Sequence, residues 1–544
     1  MPVVSRRGAS IVTSKPFHEY MLSKISQHAK EKDRVAFIDT TDGVRGTRIT
    51  YADLLEMVRK RATYMHQRGI QKGDRVLLSL PNCSHFMATC LAANSIGAVP
   101  SGLSPLFTQA EFTHQLRDCA PKMAFTIDPC LQKVHEASRE LQPPLMINNI
   151  QLDAPMDRPD GTEQISDIMK VSPDVSLQKG VEIDPKNDLA LLPYTSGTMG
   201  KAKGVMLTHE NMSTMIQTSK EVIFTTFPKL DLHVDPQLMV LHLYHIFGYG
   251  LTMVGLHSGI TNVLLSHFQP DTFLAAIQEH RIKQLTVVPP LVQFLAKHPL
   301  VDNYDLSSVL YVTSGGAPLG LELAERLKRR LPNVEVVCKG YGMTEMSMAC
   351  ATPDLSKPKF GHVGGLLPNF EMMIKDLNTG KELGVGEVGE LVVRGPCVMK
   401  GYWNKPEVTA QAIDKDGWLH TGDVAYYDED NLVFIMDRIN DLINAKGHKV
   451  APAELEDVVH THPAVADVAV VGVDDGNGGE APKAFVVLNP GMQATIENIV
   501  EFVRERVVKY KQLAGGVEFV EQIPKVPSGK ILRRLLKSSG SIAT

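Results

Sequence analysis

The sequence predicts an α/β protein followed by a smaller α+β domain, on three observations. Residues 20–435 alternate apolar strand-like runs with amphipathic helical stretches. From about 360 to 435 the texture changes to short strands and Gly-rich turns, as in "GELVVRGPCVMKGYW", which suggests a small β subdomain. After "MDRIND" a compact segment, 441–544, reads as strand, helix, two strands, helix and a basic tail. A chain of 544 residues is also too long for one ordinary core.

The elements follow in chain order. The first eighteen residues hold Arg6, Arg7 and Lys15 and no acid; they read as a disordered start, with a transit peptide as the other reading. "DRVLLSLPN" is a strand ending in a turn, and "HFMATCLAANSIGAV" a helix leading into a strand. Thr208 is placed to cap a helix starting near His209. Pro236 to Pro270 has no Asp, Glu, Lys or Arg, but its four histidines and four glycines suit a buried helix–strand unit better than a membrane span. "KQLTVVPP" and "SSVLYVTSGGAPL" each place a buried strand before a Pro- or Gly-rich turn, and ligands of open α/β sheets sit beyond such ends. In the last segment the helices are "APAELEDVVHTH" and "TIENIVEFVRERV", and the strands "VADVAVVGV" and "APKAFVVL".

Bulk properties exclude several classes. A hydrophobic content of 43%, a charged content of 22% and a net charge of −5 describe a soluble globular chain without a basic nucleic-acid footprint. Seven cysteines, with no C-x-x-C pair, argue for reduced thiols and against a disulfide framework or a zinc site. The expected location is cytoplasmic, with a mitochondrial alternative; the ending "SIAT" is not a peroxisomal signal.

Four stretches carry candidate chemistry. The Walker A spacing is absent, yet "YTSGTMGKAKG" (194–204) offers hydroxyls, three glycines and two lysines between two strand-like runs. Such a loop can cradle phosphate with backbone N–H groups, hydroxyls and a lysine, or it is a flexible hairpin turn. "KGYGMTE" (339–345) presents Tyr341 between glycines, then Thr344 and Glu345, a lone carboxylate of the kind that shares Mg²⁺ with phosphates. Its alternative is a turn with a surface acid. "GWLHTGDVAYYDEDN" (417–431) reads as a strand ending at Asp423, which either accepts from both hydroxyls of a ribose or makes an Asx-turn. "PKVPSGKILRRLLK" (524–537) is a basic tail, or a solvated charged helix.

Together with "DRINDLINAKGHKVAPAELE", and in this order and approximate spacing, these stretches resemble the adenylate-forming superfamily, in its acyl-CoA synthetase, 4-coumarate:CoA ligase and luciferase-like branch. The resemblance covers roughly 30–540. It implies a large N-terminal domain of two α/β layered sheets plus a small β-barrel subdomain, and a small mobile α+β C-terminal domain. The boundaries are then an extension at 1–30, an AMP-binding domain at 31–438, a hinge at 439–442 and a C-terminal domain at 443–544.

The resemblance implies these roles. Thr195, Ser196, Gly197, Thr198, Gly200 and Lys203 would bind the ATP phosphates. Gly315, Gly316, Ala317, Gly340, Tyr341 and Gly342 would enclose the adenine, Thr344 would contact the α-phosphate, and Glu345 would hold Mg²⁺. Asp423 would bind the ribose diol with Arg438 assisting, and Lys530 would be the adenylation lysine. Lys446 and Gly447 would face the site in the thioester-forming step, with a pivot at Asn440, where relatives often carry Lys or Asp. His245 would line the acyl and thiol passage, or it is a core histidine in an uncharged helix.

Those roles imply an ATP-dependent ligase that joins a carboxylic acid to coenzyme A through an acyl adenylate. It would use ATP, Mg²⁺ and coenzyme A, as a monomer or homodimer with no nucleic-acid partner. Phe247, Tyr249, Val287, Val288, Met343, Met346 and Met348 would wall the acyl pocket, suiting a medium-chain fatty or aryl-propenoic acid. A luciferase-like oxygenase and a catalytically inactive nucleotide-binding scaffold are the alternatives. The phosphate loop departs from the family at Met199, where threonine is usual, and at Ala202, where proline is usual.

Overall fold

A computed structural model describes residues 3–4, 12–150, 162–195, 201–353, 355, 360–446, 448–476, 479–526 and 529–539. The α/β alternation builds two layered regions. One is a five-stranded parallel sheet in the order Val99–Gly102, Arg75–Ser79, Met123–Thr126, Met146–Asn149, Thr162–Gln164. The other holds the parallel set Gln237–Met239, Asn262–Leu264 and Val35–Asp39, edged by antiparallel Thr47–Thr50. Beyond it lies the parallel trio Gln284–Val287, Tyr311–Ser314, Val336–Lys339. Central strands such as Val35–Asp39 are buried throughout, as parallel strands covered on both faces must be.

Local signals start the helices. Thr50, Thr108, Thr208 and Thr495 each form a capping box with the Asp, Glu or Asn three residues on. Pro236–Pro270 folds as expected into a strand, the helix Ile246–Ser258 and the strand Asn262–Leu264. Among the described residues, no helix is long and apolar enough to cross a membrane.

Two expectations are revised. Residues 17–28, taken as part of an N-terminal extension, form a helix whose Phe17, Met21 and Ile25 are fully buried; their four-residue spacing puts them on one face against the large core. The expected β-barrel subdomain is a six-stranded antiparallel sheet, running Val3–Val4, Glu371–Lys375, Gly389–Arg394, Leu419–Tyr427, Val433–Arg438, with Glu382–Leu383 beside the second. No pairing closes it among the described residues, because Val433 instead bonds the backbone of Val363 and Gly364.

The small domain has its own core around Val468, Val470, Val486 and Ile499. Its frame is the long pair Val465–Asp474 and Glu480–Leu488, antiparallel, with Val517–Phe519 added in parallel. The helices Pro452–His460 and Ile496–Arg504 pack against this frame, and the last helix is Arg533–Ser539.

Candidate active site

A cleft of about 810 Å³ lies between the two domains. Gly315 and Gly340 directly follow the parallel strands Tyr311–Ser314 and Val336–Lys339, and their amides bond back to Val287 O at 3.1 Å and Ser314 O at 3.1 Å. The cleft is therefore at carboxyl strand ends, where Gly316, Ala317, Gly340, Tyr341 and Gly342 line it. Gly342 has to be glycine: an added Cβ would lie 1.9 Å from Met348 O.

Asp423 lies inside the strand Leu419–Tyr427, not at its end as the sequence suggested, because the apolar pattern continues through Val424 and Ala425. That placement removes the Asx-turn alternative. A register shift between Val424 and Ala425 marks a bulge beside it, a device that re-aims side chains. Asp423 pairs across the ladder with Arg438, whose Nε is 2.7 Å from Oδ1, and Tyr341 donates its hydroxyl to Oδ2 at 2.5 Å. Burial raises the Asp423 pKa, and Arg438 and Tyr341 oppose that rise. Tyr341 is thus more than a flat ring: it fixes the carboxylate. Each carboxylate oxygen keeps a second lone pair for a diol.

Thr344 and Glu345 sit in a single 3₁₀ turn and are both 5% exposed. Tyr402 donates to Glu345 Oε1 at 2.8 Å, and the Nζ of Lys203 lies 4.2 Å from the centre of the Tyr402 ring. Lys203 begins the strand Lys203–Thr208 and pairs with Thr195, so the two form the base of the predicted phosphate loop. Ser196, Gly197, Thr198, Met199 and Gly200 lie outside the described residues. The donor set fits Mg²⁺ shared with substrate phosphates: one buried carboxylate, Glu345, linked through Tyr402 to Lys203, with no cluster of three or more His, Cys, Asp or Glu among the described residues to cage an ion.

From the small domain, Lys530 enters the same cleft. It sits on a tight turn in which Val526 N bonds Lys530 O and Gly529 N bonds Val526 O. Burial pulls its pKa down to about 8, with Arg438 adding to the fall while Asp441, Asp423 and Glu345 oppose it. Gly529, at φ +86°, lies against Pro290 of the large domain, so the turn is docked there. Lys446, by contrast, is exposed at the turn of the hairpin Ile443–Ala445/His448–Val450, and Gly447 is outside the described residues. Asn440 is exposed in the short turn Ile439–Asp441 that joins the domains.

His245 is the N-cap of the helix Ile246–Ser258 and not a core residue within it; its Nδ1 accepts the Phe247 amide at 3.2 Å. It reaches solvent from within a recess, and protein enclosing the ring, with His242 nearby, lowers its pKa to about 4. The ring is neutral at pH 7, with its proton on Nε2. Of the expected acyl wall, Phe247 packs on Gly315 and, like Met343, is half-buried, whereas Tyr249, Val287 and Met346 are sealed in the core.

The AMP-binding enzyme family matches residues 25–403, and its C-terminal domain matches 454–530. The chain belongs to the AMP-binding enzyme family. It is 39% identical over 530 residues to 4-coumarate–CoA ligase 2 of Petroselinum crispum, covering 96% of this chain and 94% of that one. Its fold is similar to ATP-bound MatB from Rhodopseudomonas palustris, with a TM-score of 0.84, 27% identity and coverage of 96% and 98%. It is also similar in fold to the anthranilate CoA ligase AuaEII in complex with anthranoyl-AMP, at a TM-score of 0.86, 23% identity and coverage of 97% and 98%. This family is the adenylate-forming superfamily that the sequence motifs resemble.

Sequence reasoning missed Tyr402, Asp437, Glu456 and Arg533. Arg533 donates to Glu456 Oε1 at 2.6 Å and to Val470 O at 3.1 Å, and burial pushes Glu456 up to about 7. All seven cysteines of the enzyme are free; six are buried and Cys338 is half-buried.

Proposed function

We propose that this AMP-binding enzyme is an ATP-dependent acid–CoA ligase for an aryl-propenoic acid, with a medium-chain fatty acid as the second substrate class. The observation that carries the reading is Lys530 of one domain entering a cleft built around the Asp423–Arg438 pair of the other. The identity to a 4-coumarate–CoA ligase supports the aryl class, and so does the Phe247 ring against Gly315. Seven free thiols suit the cytoplasm.

A carboxylate is a poor electrophile, because its leaving group would be oxide. The acid's oxygen attacks the α-phosphorus of ATP, the new P–O bond forms, and pyrophosphate leaves with the electrons of the old one. Tyr341, Asp423 and Arg438 hold the adenosine end, while Thr195, Lys203 and the loop between them hold the departing phosphates. Lys530, cationic below pH 8, is aimed at the charge that builds at the α-phosphate. Glu345 would hold Mg²⁺, which when bound would offset the phosphate charge.

The sulfur of coenzyme A then attacks the acyl carbon, AMP leaves, and the thiol proton goes to solvent or a nearby base. Neutral His245 borders this passage. Lys446 is exposed in the present orientation, so we assign it to the second step, reached by a pivot at Asn440. Pyrophosphate release measured across acids of graded length and aromaticity tests the reading. Cinnamate-type acids should be fastest, and coenzyme A should convert the adenylate to thioester. No release with any acid, or no thioester, overturns it.

A further inference from the structure

The helix Pro452–His460 lacks a cap of its own: its N-cap is Ala451, which has no side-chain acceptor. One of its first-turn amides, that of Ala453, is met instead from across the hinge. Asp437 Oδ2 accepts Ala453 N at 2.9 Å, while Oδ1 accepts Arg438 N at 2.8 Å. Asp437 is 8% exposed and belongs to the large domain, locked in its sheet opposite Val424. Ala453 lies beyond the pivot turn Ile439–Asp441, whose Asn440 is exposed. The cap therefore joins two bodies that the hinge allows to move apart.

The capped helix also leads to Lys530. Its Glu456 binds Arg533, three residues past Lys530, and Arg533 Nη1 is 3.7 Å from Asp441 at the hinge. On the other side of the turn, Lys525 is bidentate to Asp467 at 2.7 and 2.8 Å. The turn bearing Lys530 is thus fixed to the small domain at both ends, and Asp437 is one of the groups that hold the small domain to the large one, beside Gln293 and Lys297, which both donate to Ala466 O.

Resting on the two-step reading above, we propose that Asp437 is a positioning residue for adenylation: as a cap supplied across the hinge, it holds the small domain in the orientation that keeps Lys530 in the cleft. A carboxylate at a helix N-terminus gains from both the N–H groups and the helix dipole. Its loss shifts the balance of orientations, and each half-reaction follows the population of its own orientation.

The test compares the two half-reactions in the full-length enzyme. ATP–pyrophosphate exchange with the acid reads the first step, and thioester formation from supplied acyl adenylate and coenzyme A reads the second. Asp437→Ala should lower the ratio of first to second about fivefold, from a cap's usual worth. Asp437→Asn, which keeps an acceptor for Ala453 N–H, should recover at least half of that loss. An unchanged ratio in Asp437→Ala overturns the proposal; so does an equal fall of both steps with a lowered melting temperature, which marks a merely structural residue. A wild-type enzyme that exchanges pyrophosphate with no acid fails the functional reading instead.

Discussion

Two turns of the small domain each present a lysine. The turn before Lys530 is docked by Gly529 on Pro290 and tied at its ends through Lys525 and Arg533. Lys446 is exposed at the tip of its hairpin, with Asn444 and His448 exposed beside it. One rigid body presents only one of them to the cleft, and the difference lies in what each touches in the large domain. The contrast teaches that this orientation is specialised: contacts that seat Lys530 keep Lys446 out.

The sharpest way to break that contrast is Lys530→Ala. It should lower ATP–pyrophosphate exchange by about 100-fold or more, the cost of losing one group aimed at transition-state charge. Conversion of supplied acyl adenylate should stay within about twofold, an expectation that follows from Lys530 acting in the first step only. Equal loss of both steps would erase the distinction. Lys446→Ala should do the reverse, raising the apparent KM for coenzyme A about tenfold, as for one charge-assisted hydrogen bond. Exchange kinetics that fall with it would show that Lys446 serves both steps.

Gly529→Ala attacks the docking itself, since the left-handed φ disfavours a side chain and the new Cβ would come within 2.6 Å of Pro290. Exchange should fall about fivefold, with the thioester step unchanged. The smallest effect is on pH. Below about 8 Lys530 is charged, so exchange should halve as pH rises through about 8. Lys530→Arg, always charged, should remove that alkaline limb if the lysine causes it. For stability the sign is opposite. The unfolded chain keeps this proton up to 10.5, so the contribution of Lys530 to stability should rise between pH 8 and 10.5, as denaturant titration can measure.

The sequence made the nucleotide end legible because its parts are local. A strand followed by glycines marks Gly315 and Gly340, and Tyr341, Thr344 and Glu345 are consecutive with that signal. The partners of these residues were not legible. Tyr402 meets Glu345 across 57 positions, and Tyr341 meets Asp423 across 82, through sheet register that no single stretch encodes. Asp437 gave no local signal, because its bond to Ala453 depends on how two domains dock. The helix Phe17–His28 could have been found, for Phe17, Met21 and Ile25 recur every fourth residue. Tyr249 and Val287 read as pocket wall because apolar lining and apolar core look alike in sequence.

The cysteines carry a last consequence. An acyl adenylate is a strong acylating agent, and a chain that makes one is exposed to its own product. Burial pushes the thiols of Cys83, Cys119 and Cys338 up to about 12, and raises those of Cys90, Cys130, Cys350 and Cys397. Thiolate is the nucleophilic form, so at neutral pH the protein offers almost none. Cys350 is hydrogen-bonded through its backbone to Tyr341, at the edge of the site, yet it stays protonated. The chain's own thiols are thereby poor competitors for the electrophile against a thiol that arrives from outside.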